Sequence, residues 1–142
     1  MKSNNTIGLV EIMFKIFRYM KGEMSYTDNL IHLSILQIQT LVFLGHNKTT
    51  SMSDIAGHFH IELSSATSLV NKLCDLQLVE RREDTQDRRL VMIALTSKGK
   101  ALLKQAMVQR RKKLEKMLSY LSEKEQTDLL TILETLHKRI QS

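Results

Sequence analysis

Six polar residues recur on one side of a leucine-rich segment at positions 63–75. They lie opposite its apolar stripe and are Ser64, Ser65, Thr67, Ser68, Asn71 and Lys72. Serine and threonine are mediocre helix formers, so four hydroxyl residues within positions 64–68 are unusual for an ordinary surface helix. Small polar side chains let a backbone approach another molecule, and their hydroxyl and amide groups can hydrogen-bond base edges and phosphates. The pattern favours a DNA contact over its alternative, a face that is merely exposed.

A charged connection at positions 83–89 follows this segment. It ends in Arg88 and Arg89, and an arginine at a hairpin tip can enter the narrow minor groove, where the negative potential is deepest. Asp87 is not expected to contact DNA, but it could fix the hairpin by pairing with a nearby arginine. Without its surroundings, this connection is better explained as a solvated charged turn.

Apolar residues recur at three- and four-residue steps over most of the chain, as in amphipathic helices. The first predicted helix covers about 7–22 and ends at Gly22. The second begins at Ser34, where Ser34 and Gln37 have the form of a capping box, and it buries Leu36 among other residues.

A third, short helix begins at Ser51, with Asp54 as a further capping residue, and ends before a break at 60–61. A fourth covers 63–76 and is expected to bury Leu63 at its start. Two helices joined by a tight turn are typical of a helix-turn-helix, whose second helix lies in the major groove.

The apolar period then changes from 3.6 to 2, which predicts strands at 78–82 and 90–95. A helix resumes over about 96–120, and Ser122 and Glu125 form a capping box for a last one. The order is ααααββαα, a mainly α fold with a small β-hairpin wing (α+β), that is, a winged helix-turn-helix.

Composition limits the classes of protein that remain. The chain has 142 residues, the size of one domain, and a lone cysteine, Cys74, which excludes an intrachain disulfide. No run approaches the roughly 20 apolar residues of a membrane span, and the first 25 residues lack a secretory pattern. No phosphate loop or nucleophile motif is present, so we expect a cytoplasmic protein that is not an enzyme and has no cofactor, metal or membrane partner.

The formal net charge of +6 favours an anionic partner, but the distribution of this charge along the chain is more informative about where such a partner binds. Residues 51–96 carry five Lys/Arg and seven Asp/Glu, a net of −2, whereas residues 97–142 carry eleven and five, a net of +6. Charge alone therefore supports DNA binding only weakly.

Four segments in order resemble the MarR family of bacterial regulators. They are Leu33-Ser34-Ile35-Leu36-Gln37; Ser53-Asp54-Ile55-Ala56; the segment 63–73 followed by Leu78-Val79-Glu80-Arg81; and Asp87-Arg88-Arg89 with Leu95-Thr96-Ser97-Lys98-Gly99. Each segment alone is a weak signal, but the four segments in this order and at these separations are a fairly specific match to the family.

The resemblance implies a single domain over 1–142 that forms a triangular homodimer. Residues 33–96 would be the DNA-binding module, and 1–24 and 97–142 would be dimerisation helices. Two modules would then face half-sites of a pseudo-palindromic operator about 10 bp apart. By position, the groove and phosphate contacts fall on Ser64, Ser65, Thr67, Ser68 and Lys72, and the wing motif on Asp87 and Arg89, with Arg88 as a basic neighbour.

Three departures from the family pattern predict weak, salt-sensitive binding. Ser68 stands where arginine is common, His60 and Gln77 occupy turns where glycine is usual, and Leu90 replaces a small residue. We therefore hold two hypotheses: a homodimeric repressor of operator DNA released by a small-molecule effector, and a dimeric winged-helix module that contacts a protein and has lost specific DNA binding.

The resemblance also implies a small aromatic effector, for which Met13, Phe17, Phe43 and Met107 are candidate lining residues, although such residues are usually core. Cys74 is expected to be an inert thiol rather than a redox sensor. The pair His58 and His60 lacks a ligand partner at matching spacing, so no metal site is predicted.

Overall fold

The computed structural model describes residues 3–23, 26–27, 31–47, 49–87 and 89–142. The helices are α1 (Asn4–Glu23), α2 (Ile35–His46), α3 (Met52–Phe59), α4 (Leu63–Asp75), α5 (Ser97–Leu118) and α6 (Glu123–Gln141). The strands are β1 (Tyr26–Thr27), β2 (His32–Leu33), β3 (Val79–Glu83) and β4 (Val91–Leu95). The predicted fold class is confirmed, a mainly helical chain with a small antiparallel hairpin.

Two short strands are additional to the predicted order. Strands β1 and β2 pair antiparallel, with Tyr26 opposite Leu33 and Thr27 opposite His32. A two-residue strand shows no alternation, so periodicity could not reveal it. The chain divides into two compact units, Met1–Val108 and Gln109–Ser142.

In the first unit, α2 and α3 each begin at the serine predicted as their cap, and each has a complete capping box. The Gln37 N–H donates to Ser34 Oγ at 3.3 Å, and the Ser34 N–H donates to the Gln37 side chain at 2.8 Å. Ser51 and Asp54 exchange the same pair of bonds at the start of α3. These side chains satisfy first-turn N–H groups that would otherwise lack partners, which fixes where α2 and α3 begin.

The core of the first unit is built where α2, α3, α4 and the β3–β4 hairpin meet. Its fully buried large side chains include Leu41, Ile55, Leu73 and Leu78. β3 and β4 pair in an unbroken register from Val79 opposite Leu95 to Glu83 opposite Val91. Burial falls along both strands toward the connecting turn, from buried Val79 and Leu95 to exposed Glu83 and Val91, so the hairpin extends away from the core as a wing does.

Three local expectations were wrong. Gly22 lies inside α1, which continues to Glu23. Leu36 and Leu63 are 37% and 54% exposed because each stands in the first turn of its helix, at the edge of the core. Spacing alone predicts an apolar stripe that includes the first turn of each helix, whereas the surface that packs against the core does not reach that turn.

Both turns that were singled out for lacking glycine adopt the left-handed conformation. His60 has φ 52° and Gln77 has φ 60°. Each follows a helix whose end it closes: the Ile61 N–H donates to the Ala56 carbonyl, and the Leu78 N–H donates to the Leu73 carbonyl, both at 3.0 Å. A side chain at positive φ costs roughly 1 kcal/mol, so both turns carry strain that glycine would not.

The first turn of α5 packs directly on the turn between α4 and β3. The Thr96 N–H donates to the Leu78 carbonyl at 3.1 Å, and the Thr96 hydroxyl donates to the Gln77 carbonyl at 2.6 Å. Gly99 faces the same backbone, since an added Cβ would lie only 1.9 Å from the Leu78 oxygen. This contact sets the position of the wing relative to α5.

In the second unit, Ser122 begins α6 with the predicted capping box. Glu125 accepts from the Ser122 N–H at 2.8 Å, and the Glu125 N–H donates to Ser122 Oγ at 3.3 Å. The bond from the Ser122 N–H, together with the Ser122 hydroxyl that donates to Glu125 Oε2 at 2.9 Å, holds the pKa of the Glu125 carboxyl below its usual value. No helix in the described ranges combines the length and apolar character that crossing a bilayer requires.

Candidate nucleic-acid interface

α4 turns its apolar side into the core and its polar side outward. Ala66, Leu69, Val70 and Leu73 are buried at helical spacing. On the opposite side, most of the predicted contact residues are exposed: Ser64, Ser65, Ser68, Asn71 and Lys72. The arrangement brings short hydroxyl side chains, one amide and one ammonium onto a single exposed face.

Thr67 sits differently from the serines. Its side chain is half-buried, and its hydroxyl donates to the Leu63 carbonyl one turn earlier at 2.9 Å. That bond uses the only hydroxyl proton, so Thr67 can offer a partner only its oxygen lone pairs and its methyl group. Its place is at the border of the polar face.

The start of α4 leaves first-turn donors open. Its N-cap residue, Glu62, makes no side-chain hydrogen bond to the helix, unlike Ser34 and Ser51. The N–H groups at the beginning of an uncapped helix point outward with the positive end of the helix dipole. Such an end suits a phosphate oxygen.

Arg81 is a residue of this interface that the sequence did not single out. It lies on β3, on the face that also carries buried Val79, and its guanidinium donates to Asn71 Oδ1 on α4. A second nitrogen of Arg81 lies 3.7 Å from the half-buried thiol of Cys74. The alternation of β3 placed Arg81 on the α4 side, a signal that was available but was not used.

Because Arg81 occupies Asn71 Oδ1, it presents the amide in one orientation. The bond uses one of the two lone pairs of Asn71 Oδ1 and leaves both N–H groups of the amide as donors. Adenine is usually recognised by an asparagine that both donates and accepts, whereas a donor alone suits phosphate oxygens and guanine acceptors. The pair therefore biases Asn71 toward acceptor groups.

The wing turn is held by its own backbone and by Asp87. The Asp84 N–H donates to the Leu90 carbonyl, and the Leu90 N–H donates to the Asp87 carbonyl, both at 3.0 Å. Asp87 Oδ1 accepts from the Arg89 N–H at 3.0 Å and lies 3.5 Å from Arg89 Nε. The Arg89 side chain is 93% exposed, so it can reach a partner outside the protein. Arg88 lies outside the described residues.

The other candidates from the sequence do not converge on a site. His58 stacks on Phe43 with ring centroids 4.1 Å apart. Within the ranges the structure describes, no group of three or more His, Cys, Asp or Glu side chains could hold a metal ion. Met13 is exposed on α1, as is Phe17, whereas Phe43 and Met107 pack against the core.

A helix with a polar outward face, preceded by a short helix and followed by an arginine-tipped hairpin, defines a winged helix-turn-helix DNA-binding protein. The family model described as MarR family matches residues 33–90. The chain belongs to this family and is a transcriptional regulator with a DNA-binding winged helix.

Individual proteins show the same likeness. The uncharacterised regulator YfiV of Bacillus subtilis is 28% identical over 112 residues, which cover 79% of this chain and 70% of that protein. The repressor MdtR of the same organism is 24% identical over 110 residues, covering 78% and 71%. A crystal structure of a MepR-like protein complexed with pseudoligands is 31% identical, with a TM-score of 0.59, and the match covers 99% of this chain and 97% of that one.

Proposed function

We propose that this protein is a homodimeric repressor that binds pseudo-palindromic operator DNA and is released by a small-molecule effector. The observation that carries the proposal is that the structure exposes both the polar face of α4 and, almost fully, the side chain of Arg89 on the wing. In this proposal residues 33–96 are the DNA-binding module. Ser64, Ser65, Thr67, Ser68, Asn71 and Lys72 contact the major groove or phosphates, and Arg88 and Arg89 the minor groove.

Two apolar helix faces support the dimer. α1 exposes large side chains at helical spacing, among them Ile7 at 50%, Phe14 at 64% and Phe17 at 58%. α6 exposes Ile132 at 62% and Ile140 at 74% on one stripe. Exposed apolar stripes of this length are costly in water, and a second copy of the chain would cover them. Sedimentation analysis should give two chains per particle.

The sign and the trigger of regulation are supported by relatives. MdtR is named a repressor, which supports repression here. The MepR-like protein was crystallised with pseudoligands, which supports an effector. A dimer must meet two half-sites at once, so an effector that alters the separation of the two α4 helices removes much of the binding energy.

The test begins with duplex fragments selected from the source genome. Their affinity is measured at about 50 mM and about 200 mM salt, where each neutralised phosphate contributes a log–log slope near −0.9. Arg89→Ala should weaken binding by about 1–3 kcal/mol if the wing touches DNA. Lys124→Ala, an exposed charge at the start of α6, is the matched control and should leave affinity unchanged.

The rival hypothesis, a winged module that contacts a protein, predicts no selected fragment and no salt-dependent binding. It is motivated by the net charge of −2 over residues 51–96 and by Ser68 in place of arginine. An unchanged affinity of Arg89→Ala would remove the wing from the DNA-binding model while leaving α4 in it.

A further inference from the structure

Asn71 differs from its neighbours on the polar face of α4 because one edge of its side chain is already bonded within the protein. An asparagine amide carries a donor group and an acceptor group side by side. The edge that it offers to a base decides which base it prefers. The surroundings of this one amide therefore bear on the DNA sequence that α4 selects.

Arg81 of β3 holds the acceptor edge of that amide. One terminal nitrogen of its guanidinium donates to Asn71 Oδ1, and the other lies 3.7 Å from Cys74 Sγ, about one turn further along α4. Contacts to two residues a turn apart fix the plane of the guanidinium as well as its position. The terminal torsion of an asparagine side chain is otherwise soft, so the bond from β3 is what orients the amide.

The guanidinium also decides what can approach Asn71 Oδ1. A second lone pair remains on that oxygen, but N–H groups of Arg81 lie beside it. Among the described residues no carboxylate forms an ion pair with Arg81, so its positive charge is not neutralised locally. The amino group of adenine would bring a further donor toward these donors, whereas guanine presents two adjacent acceptors, O6 and N7, in the major groove.

We infer that Arg81 is a positioning residue that makes Asn71 select guanine over adenine in each half-site of the operator. Asn71 donates from Nδ2 to guanine O6 or N7, and Arg81 acts through Asn71 by withholding its oxygen from adenine. Released from Arg81, the same amide could donate to adenine N7 and accept from adenine N6, the usual pairing of asparagine with adenine. Because it names a base within the operator DNA, this assignment rests on the proposed function.

The test uses the full chain and a duplex selected from the source genome. Each base pair is exchanged between G·C and A·T, together with its symmetry-related pair in the other half-site. The Kd is measured by fluorescence anisotropy at one fixed salt concentration. In the wild type, exchanging the guanine read by Asn71 should weaken binding at least about fivefold. Asn71→Ala identifies that pair, because the same exchange then has no effect.

Substitutions of Arg81 test its part in this preference. Arg81→Met should bind the guanine and adenine duplexes equally to within about twofold, because the freed amide can pair with either base. Arg81→Lys should keep the wild-type preference, since its ammonium can still donate to Oδ1. Arg82→Met is the matched control: the next residue on β3 pairs with Glu80 and points to the other face of the strand. It should leave the preference at this base pair unchanged.

Asn71→Asp separates the role of the donor from the role of the pair in folding. A carboxylate keeps a partner for Arg81 but has no N–H group. The urea unfolding midpoint should therefore not fall, whereas the preference for guanine should be lost. A guanine preference that survives in Asn71→Asp would mean that Arg81 itself reads the base, and would overturn the inference even if Arg81→Met does not fold.

Three other results would also overturn it. They are that no exchange loses its effect in Asn71→Ala, that the base assigned to Asn71 is adenine in the wild type, or that Arg81→Met keeps the wild-type preference. The failure of the proposed function is distinguishable. A chain that binds no selected duplex refutes that function together with this assignment, whereas selected duplexes that bind without a guanine dependent on Asn71 refute only the assignment.

Discussion

Gly99 offers the sharpest test of how the wing is joined to α5. An added Cβ would lie 1.9 Å from the Leu78 carbonyl oxygen and 2.9 Å from its carbon. Carbon and carbonyl oxygen approach no closer than about 3.3 Å, so Gly99→Ala forces backbone to move by more than about 1 Å. Neither side can yield by a rotamer change, because the obstacle is main chain and Leu78 is fully buried.

The size of the effect follows from the contacts that this movement disturbs. Overpacking costs about 1–3 kcal/mol. The bonds from Thr96 to the Leu78 and Gln77 carbonyls, at 3.1 and 2.6 Å, are stretched as well, and each contributes roughly 0.5–1.5 kcal/mol. Alanine recovers about 1 kcal/mol through its higher helix propensity. The net expectation is a destabilisation of about 3 kcal/mol.

The assay is urea unfolding followed by far-UV circular dichroism, at one fixed chain concentration because the stability of the proposed dimer would depend on it. Gly57→Ala is the matched control: it is also a helical glycine, but an added Cβ there meets no atom within 4 Å. It should stabilise the protein by up to about 1 kcal/mol. The two substitutions thus have opposite expected signs, and a Gly99→Ala protein as stable as the wild type would refute the close approach.

Three further predictions concern single side chains. Thr50→Val should raise the free energy of unfolding by about 1 kcal/mol in the same assay, because its buried hydroxyl has no hydrogen-bond partner among the described residues; a lower midpoint contradicts this. Arg81→Met should weaken duplex binding by about 0.5–1.5 kcal/mol without shifting the unfolding midpoint, and adding Asn71→Ala should cost nothing more if the two residues act as a pair; additive losses in gel-shift titrations argue against the pair. Because the folded-state pKa of Glu125 is lowered, its cap stabilises α6 at pH values above the ordinary carboxyl pKa. This stabilisation is lost as the pH falls through the lower folded-state pKa. The excess thermal midpoint of wild type over Glu125→Gln should therefore be present near pH 7 and disappear as the pH falls through the lowered pKa of Glu125, whereas a constant difference would show that the carboxylate's charge plays no part.

Features set by local chemistry were predictable from the sequence. The capping residues Ser34, Ser51 and Ser122 define helix starts because one side chain satisfies nearby N–H groups. His60 and Gln77 were expected at turns that favour glycine, and both have positive φ. Each of these signals is contained within a few consecutive residues.

Features set by contacts between distant segments were not predictable in the same way. The bond from Arg81 to Asn71 joins residues ten positions apart on different elements. An open cleft beside Lys100 gathers residues from α2, both wing strands and α5, and no period in the sequence marks it. Glycine at position 99 was noted as part of a family pattern, but only the structure gives its physical reason.

The central claim is that two copies of α4 lie in successive major grooves of one duplex. Guanine N7 faces the major groove, so its methylation by dimethyl sulfate reports directly on what occupies that groove. On a selected duplex at saturating protein, we expect two protected segments whose centres lie roughly 10 bp apart. A single protected segment, or unchanged methylation of every guanine in a saturated complex, would contradict the account.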